Sequence, residues 1–371
     1  MNDIQAVTDA ALLIHDGVVR ECGPARRIEN LAEARSAVEI DVGGRVVIPA
    51  FVEPDAVLVT AGEDISRRSH GENAIATTSK RRLEARTLQA VEDWVRHGVL
   101  ALGATTHGAS DLRDARKLLN VQKMFQARPL RIRSVFAPHV DWCVLQTDKT
   151  VKSWASAIVG KRLAGLLELE LDAADERAWE GVEHLSRIAV PEGFILRLRS
   201  AGPLSSDAQR VVGNTGAISV IAPGVDGGTD PEFARASCVS VLTGADILAG
   251  KCNAAHTRAL LDDGIAVALG SGYSGFGKGS YNPQYLLHLA CTELGMSIEE
   301  AITAVTWNAA CSLRMSTVAG SVDPGKQADL VMMDVGDYRD MAERPGHNDV
   351  YMVVRAGKPV YRRAGLLSLQ V

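Results

Sequence analysis

Histidine and cysteine are scarce in this chain of 371 residues, at nine and six. Cys238 and Cys252, the nearest two thiols, still stand fourteen positions apart, so no CxxC pair exists for zinc or redox chemistry. The cysteines read as reduced, small core residues of a reducing compartment. No two histidines have HxH, HxxxH or HxxEH spacing, which excludes a metal site made from sequence neighbours. Charge of neither sign dominates, with 40 basic against 45 acidic side chains, and a net −5 gives no reason to expect nucleic acid or an anionic membrane as partner. No apolar run reaches the roughly 18 residues of a membrane span. Met1-Asn2-Asp3-Ile4 has neither a basic n-region nor an apolar h-region, and a soluble, cytoplasmic protein is expected.

The chain has ample apolar content, 46% of its residues, and disorder is excluded on that ground. Ile14-His15, Asp16-Gly17 and Val18-Val19 form a hairpin signal, since Asp-Gly suits a tight turn between two β-prone runs. Arg45–Pro49, Ala328–Asp334 and Val350–Tyr361 read as further strands, the last folded at a Gly357-Lys358 turn. Between these β-rich ends, eight short apolar runs alternate with helical patterns. The runs lie at 50–53, 99–106, 132–139, 163–171, 193–200, 217–223, 239–245 and 265–272. Eight strands alternating with helices predict a (β/α)8 TIM barrel at 50–316. The terminal segments, 1–49 and 317–371, would build a small composite β-sandwich domain. An open doubly wound sheet would need a GxGxxG turn after a strand, and none is present.

Several stretches resemble the amidohydrolase superfamily, a family of metal-dependent hydrolases. Val47-Ile48-Pro49-Ala50-Phe51-Val52-Glu53-Pro54-Asp55-Ala56-Val57 is similar to the family's V-x-P-G-F-I-D-x-H-x-H entry to the barrel. Asn308-Ala309-Ala310-Cys311-Ser312-Leu313 and Gly320 through Pro324-Gly325-Lys326-Gln327-Ala328-Asp329-Leu330-Val331 resemble its exit pattern, and that match is highly specific. Val239–Ala245, Leu289–Gly295 and the Tyr338–Lys358 tail look most like imidazolonepropionase, the histidine-degradation enzyme that opens a cyclic amide. The resemblance implies a barrel with a β-sandwich of both termini. Relatives often pair, so a homodimer is the oligomer to look for.

At the site the resemblance weakens. Asp55 and Val57 stand where the family has H-x-H, Arg199 and Ala222 at its strand-five and strand-six histidines, and Ser271-Gly272 at its strand-eight T-D. His139 alone matches a family histidine, the one that touches substrate. Amide hydrolysis on this scaffold ordinarily uses a metal to lower the pKa of water from about 15.7 toward about 7, with a base to move the proton. Asp55 by itself falls short of three protein ligands. No metal and no cofactor are therefore expected.

Strand alternation places Arg197 and Arg199 on one face of one strand, and Glu168 and Glu170 on one face of its neighbour. A buried charge needs a partner, so these four are expected to pair inside the barrel, fixed protein charge replacing an ion. The candidate pocket is thus Asp55, His139, Glu168, Glu170, Arg197, Arg199, Ser271 and Tyr273. Arg199 reads either as an ion-pair partner or as a clamp for a ligand carboxylate, and Asp55 either as a loop cap or as an acid or base. His107, beside Gly108, reads as a solvated loop histidine. Cys143 is the one thiol near the mouth. Gly270–Gly279 reads as a flexible lid, not a phosphate loop. The function expected is an imidazolonepropionase-like barrel without the metal centre, catalytically inactive or strongly diverged, that binds a small molecule. The alternatives are a hydrolase of a cyclic amide-type C–N bond working through a rearranged site, and a purely structural subunit.

Overall fold

The computed structural model describes residues 4, 6–60, 74–126, 129–138, 148–171, 176–273 and 279–363. The chain opens on an antiparallel hairpin, β1 (Ala10–His15) and β2 (Val18–Pro24). Asp16 and Gly17 turn it with φ of 50° and 77°, the left-handed pair that a two-residue hairpin with right-twisted strands requires. β3 (Val46–Pro49) follows, and the chain then enters the barrel.

The barrel strands are β4 (Phe51–Ala56), β5 (Val99–Thr105), β6 (Arg131–Phe136), β7 (Leu166–Leu171), β8 (Ile195–Ser200), β9 (Ser219–Ile221), β10 (Val239–Thr243) and β11 (Val267–Gly270). They form one parallel eight-stranded sheet in sequential order. β4, β5, β10 and β11 are buried at every residue; β5 and β11 accordingly read as near-continuous apolar runs, whereas β4 carries Glu53 and Asp55. The intervening helices show the other period. Lys80–Arg96 buries Leu83, Thr87, Ala90, Val91, Trp94 and Val95, a single stripe at three- and four-residue steps. Short polar side chains start these helices by accepting a backbone N–H: Ser79 from Arg82, Asp111 from Asp114, Asn253 from His256.

Two short helices follow the barrel strands, Ile298–Ala304 and Trp307–Ser312. The second plugs the N-terminal end of the barrel. Ala309, Ala310 and Leu313 pack there with Val52, Ala101, Val135, Leu166, Val241 and Ala268, and Asn308 Nδ2 donates to Val267 O at 2.8 Å.

β12 (Leu330–Met333), β13 (Val350–Arg355) and β14 (Lys358–Arg362) complete a four-stranded antiparallel sheet in the order β14-β13-β12-β3, built from both ends of the chain. Its last turn is made by Ala356 and Gly357, with φ of 46° and 74°, rather than by Gly357 and Lys358. The conspicuous Gly325–Val331 stretch acquires a physical reason here. Val19 N donates to Lys326 O and Ala328 N to Gly17 O, so the segment takes up the β1–β2 hairpin. Asp329 then accepts from Ala356 N at 2.8 Å and faces Arg131 of β6 at 3.5 Å.

Gly103 of β5 is a point of close approach. A Cβ there would lie 2.4 Å from Pro54 O and 2.7 Å from Leu313 Cδ2, both held by strand or plug. Gly103→Ala is expected to destabilise the fold by about 1–3 kcal/mol through overpacking, read as a lower denaturant midpoint at unchanged slope.

Candidate active site

Chemistry on a barrel of parallel strands sits at their C-terminal ends, where the loops leave. Asp55 is the fifth residue of β4, Glu168 the third of β7, and Arg197 and Arg199 the third and fifth of β8. In the β7–β8 register Glu168 stands opposite Arg197 and Glu170 opposite Arg199. β4 and β8 are separated in the sheet by β5, β6 and β7, so a contact between them crosses the lumen.

Such contacts exist. Arg197 is wholly buried and spends its fork on three acceptors: Nε donates to Glu168 Oε2, Nη1 to Pro54 O and Nη2 to Asp55 Oδ1, each at 2.6 Å. Arg199 lies one layer nearer the mouth, its side chain 21% exposed. Its Nε donates to Glu168 Oε1 at 2.8 Å and its Nη2 to Asp55 Oδ1 at 2.6 Å. Two guanidinium groups thus share two buried carboxylates in a closed ring of charge-assisted bonds, the geometry for which arginine suits better than lysine.

The ring sets its own protonation. Burial alone would raise both carboxylates, but the two guanidinium groups outweigh it. They lower Asp55 and hold Glu168 well below the usual carboxylate range, and the carboxylates in turn raise Arg199 further. Glu53, two residues before Asp55, has no cation beside it among the described residues, and burial pushes it up to about 8. Its Oε1 accepts from Asp55 N and its Oε2 from Ser271 N, both at 2.8 Å. Together with Val57 N donating to Tyr273 O, Glu53 ties β4 to the end of β11, where the barrel closes.

Of the residues singled out from sequence, Asp55, Glu168, Arg197 and Arg199 come together. Glu168 serves both arginines. Glu170 is half-buried and makes no ion pair with either of them among the described residues. Ser271 Oγ accepts from Tyr273 N, and Tyr273 packs edge-on to Trp94 while its hydroxyl accepts from Tyr281 at 2.5 Å, so both face the closure and the helix layer. His139, Cys143 and the centre of the glycine-rich segment lie outside the described residues. His107 corrects the reading of a solvated loop residue: its Nε2 is 2.6 Å from Glu168 Oε1. Among the described residues no group of three or more His, Cys, Asp and Glu side chains is arranged to hold a metal ion.

A family model described as "Amidohydrolase family" matches residues 238–360. Curated relatives cover nearly the whole chain. The imidazolonepropionase of Brevibacillus brevis is 25% identical over 392 aligned residues, spanning 96% of this chain and 91% of its own. That of Porphyromonas gingivalis is 26% identical, over 95% and 89%. Among solved structures, N-isopropylammelide isopropylaminohydrolase from Burkholderia multivorans superposes with a TM-score of 0.74 at 19% identity, covering 96% of this chain and 95% of that one. A 5-methylcytosine deaminase from Klebsiella pneumoniae gives 0.70 at 17%, over 95% and 94%. The solved structures establish the barrel. The curated relatives are enzymes by name along almost their full length, and they overturn the expectation of a catalytically inactive ligand binder.

Proposed function

Because this chain belongs to the amidohydrolase superfamily, we propose that it hydrolyses the C–N bond of a cyclic amide, the reaction type its imidazolonepropionase relatives suggest, at the C-terminal mouth of the barrel. One observation carries this reading. The charge ring of Asp55, Glu168, Arg197 and Arg199 stands where barrels place chemistry, and only its outermost member, Arg199, is open to the mouth.

The superfamily's usual metal does not fit the described residues of this ring. Asp55 and Glu168 are each engaged by both guanidinium groups at 2.6–2.8 Å, so an ion beside them would face two fixed positive charges. No step here runs through an ion.

Arg199 has the chemistry to receive an amide oxygen. Its Nε and Nη2 are committed to carboxylates, and the partly exposed edge of its fork is the donor surface left for a ligand. As water adds to the carbonyl, negative charge grows on that oxygen, and a preformed cation in a water-poor site stabilises it without having to reorganise. Arg197 and the carboxylates hold Arg199 in place. The purified full chain is expected to convert imidazolone propionate to a ring-opened product heavier by one water, followed by loss of ring absorbance and by mass spectrometry. Arg199→Met should lower kcat/KM by about 10²–10³-fold. Absence of turnover in the wild-type chain on imidazolone propionate and on simple five- and six-membered cyclic amides would refute the reading.

A further inference from the structure

His107 follows β5 on a turn that Gly108 makes with φ of 89°. Its Nε2 meets Glu168 Oε1 at 2.6 Å, and its side chain is 33% exposed while that of Glu168 is 1% exposed. Glu168 is ionised, because two guanidinium groups keep it so. An ionised carboxylate only accepts, so Nε2 carries a hydrogen, and in the neutral ring the lone pair is on Nδ1. One end of the imidazole is therefore pinned in the buried ring while the residue as a whole reaches solvent. The same Glu168 Oε1 takes Arg199 Nε at 2.8 Å, which makes His107 and Arg199 neighbours around one oxygen atom.

Resting on the hydrolase reading above, we infer that His107 is the general base of this site: Nδ1 takes the proton of the attacking water, Glu168 fixes the tautomer, and Arg199 faces the oxygen that becomes negative. The bonds balance without a further reactant. The water oxygen bonds to the carbonyl carbon, its proton moves to Nδ1, and the carbonyl electron pair moves onto the oxygen beside Arg199. On collapse the C–N bond breaks and the Nδ1 proton passes to the departing ring nitrogen, returning His107 to its neutral form. Glu168 acts through His107 and is a positioning residue. Among the described residues the charged groups around the imidazole are Glu168 from β7, Arg197 and Arg199 from β8 and, behind them, Asp55 from β4.

The test uses the full chain with imidazolone propionate. His107→Ala is expected to lower kcat by about 10²–10⁴-fold while KM changes less than about threefold, with partial recovery in added imidazole. His107→Asn, which keeps a donor for Glu168 but supplies no base, should be as slow as the alanine variant. Circular dichroism of both variants should match wild type. In ¹⁵N-histidine spectra of the wild-type chain, His107 should be the Nε2–H tautomer, a readout independent of turnover. Turnover that survives His107→Ala, or an Nδ1–H tautomer, overturns this assignment and leaves the hydrolase reading standing. A wild-type chain without turnover overturns both.

Discussion

Glu168→Gln should cost about 3–5 kcal/mol of unfolding free energy, the usual penalty for breaking a buried ion pair from one side. Glutamine has nearly the same volume, so no cavity contributes. What is lost is the charge that Arg197 and Arg199 share at 2.6 and 2.8 Å, with Asp55 left to balance two cations alone. Neither arginine can release its proton, and Arg197 has no path to water. Removing both charges of one pair, as in Glu168→Leu with Arg197→Met, should therefore be milder than Glu168→Gln, because a well-packed apolar pair avoids stranding an ion. Urea unfolding of wild type, the two single variants and the double variant gives the coupling directly. A loss below about 1 kcal/mol in Glu168→Gln, or a double variant worse than the sum of its parts, would contradict this account. The same ring fixes the acid limit. Asp55 and Glu168 are both lowered on folding, so their contribution is complete above the ordinary carboxylate values and is lost as pH falls through the lower folded ones.

Much of this was legible in the sequence, for reasons that can be stated residue by residue. Burial on both faces writes parallel strands as apolar runs, so all eight could be placed. Strand alternation put Glu168, Arg197 and Arg199 on faces that could meet. It could not show that Asp55 reaches them across the lumen, since that depends on how strand tilt and barrel closure bring β4 opposite β8. Nor could it show that one carboxylate would take both arginines while Glu170, one layer above, pairs with neither. The helix Ser206–Thr215 is faint in the sequence, since Gly213 and Asn214 weaken its pattern, and its clearest mark is the Ser205 cap. His107 was out of reach for another reason: it lies on a turn past β5, and turns carry no periodicity. The scarcity of paired histidines misled most about function. It shows which donor each position lacks, and says nothing of the chemistry the replacing charges permit.

Raising the pH from 5 to 9 should weaken the fold, and Glu53 should be the cause. Glu53, Asp55 and Glu168 are all buried in this barrel, yet their environments drive them in opposite directions. Asp55 and Glu168 are held low by arginine, whereas Glu53 has two backbone N–H groups and the Ser271 hydroxyl, Asp55 beside it as a like charge, and no cation among the described residues. Desolvation wins there and moves Glu53 from 4.5 to about 8. Between those values the folded chain keeps a proton that the unfolded chain has released, so stability falls as pH rises, by about 1.4 kcal/mol per unit and about 4–5 kcal/mol in all. Above pH 8 both states are ionised and the loss stops growing. Glu53→Gln is a neutral isostere that cannot release a proton. Its amide NH2 must face one of the two backbone donors, which costs the variant some stability at every pH, so the slope and not the level is the readout. Urea unfolding at pH 5, 7 and 9 should show wild type losing several kcal/mol across the range and Glu53→Gln losing much less. Equal slopes in the two proteins would mean that the proton is held elsewhere, and that the N–H bonds from Asp55 and Ser271 suffice to keep Glu53 ionised.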